Sequence, residues 1–248
     1  MFPIRDHNPT ARTPYVTYGL IAVNIAVFLL MLPVYGDENQ LARIYYTWGL
    51  VPTWITDGQN LSGLITHMFL HAGIAHIAGN MLFLWIFGDN LEDELGHLGF
   101  ALFYLAAGLG AAALQILADP GSTAPMIGAS GAIAGVMGGY LLLFPRARVD
   151  IFLFFFVFFY IFPVPAWVML GLWFALQIFS GASAAAGDSG VAYWAHAGGF
   201  IVGLLWVLPV WLKRGGPGFW SKTKGRPPHP EAEYRMVKSR VPRIQRRR

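Results

Sequence analysis

Apolar stretches of about 20 residues recur along this chain, each long enough to cross the hydrocarbon core of a bilayer as a helix. Lipid offers no partners for backbone N–H and C=O groups, so stretches of this kind fold as helices packed on one another. Of the 248 residues 56% are hydrophobic and 12% charged, with a mean hydropathy of +0.51. Soluble domains carry about 25% charged residues, so this composition excludes an ordinary soluble domain. An all-α membrane protein with six transmembrane helices is the predicted fold class. The chain has no cysteine, which removes disulfides, thiol catalysis and cysteine metal sites.

The spans are expected at about Tyr15–Tyr35, His71–Phe87, Leu98–Leu117, Gly128–Phe144, Ala166–Phe179 and Val191–Trp211. Gly36–Ser62 is a long first extracytoplasmic loop, in which Tyr45, Tyr46, Trp48 and Trp54 suit the headgroup zone. Gly88–His97 reads as a short acidic turn and Asp119–Pro125 as a loop. Ile161-Phe162-Pro163-Val164-Pro165 marks a break before the fifth span. The aromatic run Phe152–Tyr160 fits an interfacial segment or a partial extra span equally well. The domain plan is therefore a cytoplasmic segment 1–14, a membrane domain 15–212 and a tail 213–248 expected to be disordered.

Charge orients this plan. From Lys213 to Arg248 there are 12 Lys/Arg against two acids, so the basic character belongs to the tail. With six spans both termini share one side, and that side holds 16 of the 17 Lys/Arg; only Arg43 falls on the other. The positive-inside rule puts both termini in the cytoplasm. Attraction to anionic lipid accounts for the tail better than a nucleic-acid role.

In this topology the second, fourth and sixth spans run from outside to inside. His76, Asn80, Ser130 and His196 all fall in the first part of those spans and so share one depth. Polar groups inside spans are costly and usually functional. His76 and Asn80 are four residues apart on one helix face. His196, Gly199 and Gly203 share a face, and Gly131, Gly135 and Gly139 form a matching ridge after Ser130. Two glycine ridges let helix backbones approach closely, which brings Ser130 to His196 as nucleophile to general base. The 13 acids all read as loop or tail residues, so no carboxylate completes a triad and a Ser–His dyad remains. Asn80, His76 and the Ser130 backbone N–H are the expected oxyanion donors.

Two other enzyme readings fail on residue identity. The G-x-S-x-G elbow of soluble hydrolases requires glycine where Ala132 stands. A zinc protease requires H-E-x-x-H, and His67-Met68-Phe69-Leu70-His71 has methionine where the glutamate belongs. No metal or cofactor is expected, and His67 and His71 read as structural groups bonded to the loop above the second span.

As a set, these motifs resemble the rhomboid intramembrane serine proteases. The similarity rests on His67-x-x-x-His71-x-x-x-x-His76-x-x-x-Asn80, Gly88 to Glu92, Gly128-Ala129-Ser130-Gly131 and Ala195-His196-x-x-Gly199. It runs from Asn8-Pro9-Thr10 to about Trp211. The resemblance implies a six-helix, bacterial-type serine endopeptidase of the cell (inner) membrane. It makes Ser130 the nucleophile and His196 the base, with His76, Asn80 and Gly128 at the oxyanion. The implied substrates are transmembrane proteins cut in or near their membrane helices, after a small residue such as alanine, without cofactor. Glu92 would tie inner loops together, and Trp167, Trp173 and Phe174 would line a gate at the fifth span. The family often carries Trp-Arg before the second span, where this chain reads Ser62-Gly63.

Two non-enzyme classes stand beside this reading. A catalytically inactive relative that binds or chaperones transmembrane helices would have no need of Ser130 and His196. A transporter would show paired broken helices in two halves, and the chain has no such repeat.

Overall fold

A short strand, β1 (Phe2–Asp6), precedes the first long helix, α1 (Tyr15–Met31), which continues as a 3-10 turn over Leu32–Val34. The computed structural model describes residues 2–155, 158–183 and 192–234. Three short helices follow in the first loop: α2 (Glu38–Trp48), α3 (Pro52–Thr56) and α4 (Gly63–Thr66), the last extended by a 3-10 turn at His67–Phe69. Then come α5 (Ile74–Leu95), α6 (His97–Ala118) and α7 (Ser130–Leu143). A hairpin of β2 (Arg148–Phe155) and β3 (Phe158–Pro165) leads to α8 (Ala166–Ser183), α9 (Tyr193–Lys213) and α10 (Pro217–Thr223).

Among the described residues four helices are long and apolar enough to cross a bilayer: α1 with its 3-10 extension, α6, α8 and α9. A fifth candidate is the pair Gly63–Phe69 and Ile74–Leu95, bent by 95°. The remaining predicted span, the fourth, is the shorter apolar helix α7, whose 14 residues extend roughly 21 Å. A hydrocarbon core is roughly 30 Å thick, so α7 is too short to cross it unaided. Nearly all of α7 is buried, including the run from Gly131 to Tyr140. It packs against α5, α6, α8 and α9 and forms the axis of the molecule.

Several boundaries differ from the sequence reading. The acidic turn expected at Gly88–His97 is the last two turns of α5, and the chain reverses at Gly96 alone. Those turns stay helical because their acids have partners. Glu92 is buried and accepts hydrogen bonds from the N–H of Val16 (2.8 Å) and Thr17 (2.7 Å) and from the Thr17 hydroxyl (2.7 Å), capping α1. Arg214 pairs with Glu94. Glu92 thus ties the end of α5 to the start of α1, where the resemblance implied a tie between inner loops.

The aromatic run is neither a helix nor a span. It forms the β2–β3 hairpin, and β1 pairs antiparallel with β2 to give a three-stranded sheet in the order β1-β2-β3. Pro163 and Pro165 lie at the base of the β3 edge, where a missing N–H breaks no inner ladder. The nearest tail residues are ordered as well. In α10 the Trp220 indole donates to the Leu142 carbonyl (2.9 Å), and Arg146 N–H donates to Gly225 O (2.8 Å). Residues 235–248 of the expected disordered tail lie outside the described residues.

The glycine ridges meet as predicted. A methyl added at Gly199 would lie 1.8 Å from the Gly131 carbonyl oxygen, and one at Gly203 would lie 2.0 Å from that of Gly135. No side chain separates α7 from α9 at these points. The opposite flank of α7 meets α6, where a methyl at Gly135 would lie 2.3 Å from Ala107 Cβ. Gly203→Ala is therefore expected to lower thermal stability by about 1–3 kcal/mol through overpacking. Gly171 on α8 has nothing within 4 Å of its added methyl, so Gly171→Ala is expected to be neutral. Thermal unfolding of the two purified variants in detergent checks the contrast.

At the sheet, the Asp6 carboxyl accepts a hydrogen bond from the Tyr140 hydroxyl (2.7 Å) and is 9% exposed. Burial pushes its pKa up from 3.8 to about 8, against the opposing effect of the Tyr140 bond. The folded-state value lies above the unfolded one, so folding takes up a proton between about pH 4 and pH 8. Stability is expected to fall as the pH rises through that window. Asp6→Asn keeps the acceptor for Tyr140 and removes the titration, so its melting temperature should change less over the same range.

Candidate active site

Helix α7 starts at Ser130 because the chain before it cannot be helical. Gly128 has φ of +126°, a region that side-chain-bearing residues rarely enter, and Ala129 is the N-cap. The N–H groups of a first helical turn lack intrahelical acceptors, and here they surround a hydroxyl that does not cap its own helix. Ser130 Oγ instead bonds to His196 Nε2 at 2.8 Å.

His196 lies in the first turn of α9, with its N–H donating to Ala192 O (3.2 Å). The start of α9 is fastened to α6, since Ala195 N–H donates to Gln115 Oε1 (3.2 Å). The far side of the imidazole meets α8. His196 Nδ1 lies 2.8 Å from Gln177 Oε1, and the Trp173 ring sits 5.6 Å from the imidazole, centroid to centroid. Serine hydroxyl, imidazole and amide oxygen thus form one chain of hydrogen bonds across α7, α9 and α8.

His76 arrives from the first turns of α5. Its Nδ1 accepts from Ala72 N–H (3.2 Å), which leaves the proton on Nε2 as a donor. A methyl added at Gly128 would lie 2.9 Å from both Cε1 and Nε2 of this ring and 3.6 Å from Ser130 Oγ. The imidazole edge and the serine therefore flank one small space, kept open by a glycine. Asn80 is one turn further along α5, buried at 8% exposure, and its Nδ2 has no partner among the described residues. Buried amide donors are rarely left unmade, and this one is available to an incoming acceptor.

One member of the expected oxyanion set is corrected. The Gly128 N–H is already donated to His67 O (2.8 Å), so it is not free to bind an anion. Gly128 contributes a close approach and a positive φ instead. His67 is structural, with Nδ1 bonded to Gly63 O (2.8 Å). His71 departs from the expectation: its carbonyl accepts from Tyr35 and Tyr45, but neither ring nitrogen has a partner. Its ring packs edge-on against His76 at 5.0 Å.

The gate residues divide. Trp173 and Phe174 face α9, with Phe174 stacked on Phe200 at 4.3 Å. Trp167 does not belong with them. It stands at the other end of α8, where its N–H donates to Pro145 O (2.8 Å) and its side chain lines a cavity with Arg146, Arg148 and Arg226. Sequence reasoning missed Gln177. Its signal is the one that exposed Asn80, an uncharged polar residue inside an apolar span. Four of the acids read as loop residues, Asp89, Glu92, Asp93 and Glu94, lie on α5 itself. The acid partners of His196 are none among the described residues; its ring bonds go to Ser130 and Gln177.

A hydroxyl bonded to an imidazole, with a second imidazole edge across a small space, is an arrangement suited to acyl transfer. A family model described as "Rhomboid domain" matches residues 58–213. Rhomboid protein 1, mitochondrial, of Saccharomyces cerevisiae is 31% identical over 198 residues, covering 77% of this chain and 52% of that protein. Rhomboid protease GluP of Bacillus subtilis is 36% identical over 128 residues, 52% of this chain and 24% of its own length. Rhomboid-like protein 11, chloroplastic, of Arabidopsis thaliana is 28% identical over 224 residues, 84% of this chain and 69% of its own. The chain thus spans about half the length of the yeast relative and about a quarter of the Bacillus one.

Asn80→Ala is expected to lower kcat on an acyl substrate by about 100-fold while leaving KM nearly unchanged. An oxyanion donor acts on charge that exists mainly in the transition state. Steady-state kinetics of the variant decide the point; unchanged kcat with a raised KM would make Asn80 a substrate contact instead.

Proposed function

The chain belongs to the rhomboid family, and on that premise we propose that this multi-pass membrane protein is an intramembrane serine endopeptidase. The observation that carries the proposal is the 2.8 Å bond between Ser130 Oγ and His196 Nε2 within a bundle of apolar helices. His196 takes the hydroxyl proton as Ser130 Oγ attacks the carbonyl carbon of a peptide bond. The tetrahedral oxyanion that forms is bound by Asn80 Nδ2, His76 Nε2–H and the Ser130 backbone N–H. His196 then gives the proton to the departing amine, and water, activated by the same imidazole, releases the acyl group from Ser130.

Substrates are membrane proteins cut in or near a transmembrane helix. A helical peptide bond is already hydrogen-bonded and shielded, so it becomes open to attack only after local unwinding. Lipid offers no replacement partners, whereas the polar groups around Ser130 do. Helix-weakening glycine or proline in the outer part of the substrate's span would favour cleavage. Small walls at Ala129 and Gly131 suit a small residue before the cut bond. Entry runs past α8. We place both termini on the cytoplasmic side of a bacterial inner membrane, with six passes; the orientation is supported by 16 of 17 Lys/Arg falling on that side. The basic tail is assigned to anionic lipid at the same surface.

The test is cleavage of a single-span protein carrying a glycine-weakened helix, co-reconstituted in liposomes. Wild type is expected to cut it, and a fluorophosphonate to label Ser130. Ser130→Ala, His196→Ala and the double variant should each lose essentially all activity, the double being no worse than either single because the two residues act as a unit. Cleavage by Ser130→Ala, or an inert wild type that still binds the substrate, would sink the proposal; the second result fits an inactive helix-binding relative.

A further inference from the structure

The hydrogen-bond chain at the site does not stop at His196. Gln177 Oε1 lies 2.8 Å from His196 Nδ1, and the amide nitrogen of the same side chain lies 3.5 Å from Trp173 O. That second contact fixes the amide orientation, because a flipped side chain would set its oxygen against a carbonyl oxygen. An amide oxygen only accepts, so His196 must carry its proton on Nδ1. Nε2 is then the lone-pair nitrogen facing Ser130 Oγ at 2.8 Å, the arrangement a general base requires.

We infer that Gln177 is the positioning residue of this site, holding His196 in its base-competent tautomer and ring orientation from helix α8. The inference rests on the catalytic reading above. Soluble Ser-His-Asp enzymes fill this place with a carboxylate and papain-like cysteine proteases with an asparagine. In a bundle of apolar helices the amide supplies the same directed acceptor without an ion to desolvate.

The helix that carries this residue is the least enclosed of the spans. Of the α8 side chains only Ala166 and Leu170 are buried, and 11% of its apolar window is buried against 39% for α6 and 44% for α9. Ser130 and His196 sit on α7 and α9, which meet at glycine contacts, while Gln177 sits on the neighbour with the least buried surface. Displacement of α8 by more than about 1 Å breaks a bond of this length, because hydrogen bonds fade beyond about 3.5 Å. The base is therefore fully oriented when α8 lies against α9 and loses its partner when α8 moves out.

The test compares Gln177→Leu and Gln177→Glu with wild type, reading cleavage, fluorophosphonate labelling rate and the pH–rate profile. Besides Ser130, Gln177 and Trp173, His196 faces His76 from α5, whose titration is common to all three proteins. Gln177→Leu keeps the shape and removes the acceptor. It should lower kcat and the labelling rate together by about tenfold or more, a part of the 10²–10⁴ that a positioned base contributes, with KM little changed. Gln177→Glu restores an acceptor and adds negative charge beside the imidazole, so it should recover activity relative to leucine and move the acid limb to higher pH. A purely structural role would shift melting temperature without moving that limb. Slowed cleavage with unchanged labelling would place Gln177 in substrate entry and overturn the inference. So would a glutamate variant that keeps the wild-type limb, a comparison with wild type that stands even where the leucine variant does not fold. Active wild type with an equally active leucine variant refutes this inference alone; inert, unlabelled wild type refutes the catalytic reading beneath it.

Discussion

Helices α7 and α9 touch backbone to backbone. The carbonyl oxygens of Gly131 and Gly135 occupy the space that a side chain at Gly199 or Gly203 would need. Between helices in lipid there is little hydrophobic drive to associate, so adhesion comes from van der Waals contact, which is best where small residues allow close approach. Helix axes ordinarily pack about 8–10 Å apart, and a serine is among the shortest side chains that must reach a partner across such a gap. The glycine contact places the first turn of α7 beside the first turn of α9, and the hydroxyl meets the imidazole without either helix bending toward the other. The site is a by-product of packing, held by residues that take no part in chemistry.

The second constraint is electrical. The polar side chains of the candidate site described above are two imidazoles, two amides and a hydroxyl, with no carboxylate among them. Several acids instead sit together at one margin of the bundle, each with a partner there. Glu92 caps α1, Asp150 takes the side chains of Arg5 (2.7 Å) and His7 (2.8 Å), and Asp6 meets Tyr140. Carboxylates can be solvated or paired at that margin, whereas beside the nucleophile they would have to be desolvated. The molecule therefore separates the acids that fasten one of its ends from the uncharged polar groups of the candidate site.

How much of this could be read from the residues depends on the scale of the signal. The apolar runs gave α1, α6, α8 and α9 to within a few residues, because span length is set by the bilayer rather than by tertiary detail. Ser130, His196, His76 and Asn80 stood out because polar residues are rare in such runs, and the two glycine ridges fixed which helices had to meet. Gln177 carried the same kind of signal but no motif, and only the fold shows that it points at His196. The hairpin was illegible for a physical reason. Phe152–Tyr160 is continuously aromatic and apolar, so it has neither the alternation of a half-buried strand nor a turn signal to separate it from a helix. Its partner β1 lies some 145 residues away in sequence, a distance that no local pattern encodes. The end of α5 was misread because acids suggest a turn until their partners on α1 and α9 are known. The oxyanion role of Gly128 failed on a single backbone bond, to His67, which sequence spacing cannot reveal.

That distant strand pairing has a consequence for biogenesis. β1 is made first, yet its partner β2 follows α7, after most of the helices of the bundle. Until then the N-terminal strand has an unpaired edge, and Asp6 has no Tyr140 to meet. Closing a loop of this length is entropically slow and is rewarded only at the end, unlike the helices, which form from local contacts as they enter the membrane. The sheet can therefore close only after α7 and β2 have been made. Loss of β1 would be felt in the yield of correctly closed protein and in the exposure of a sticky edge during synthesis, ahead of any effect on the residues around Ser130.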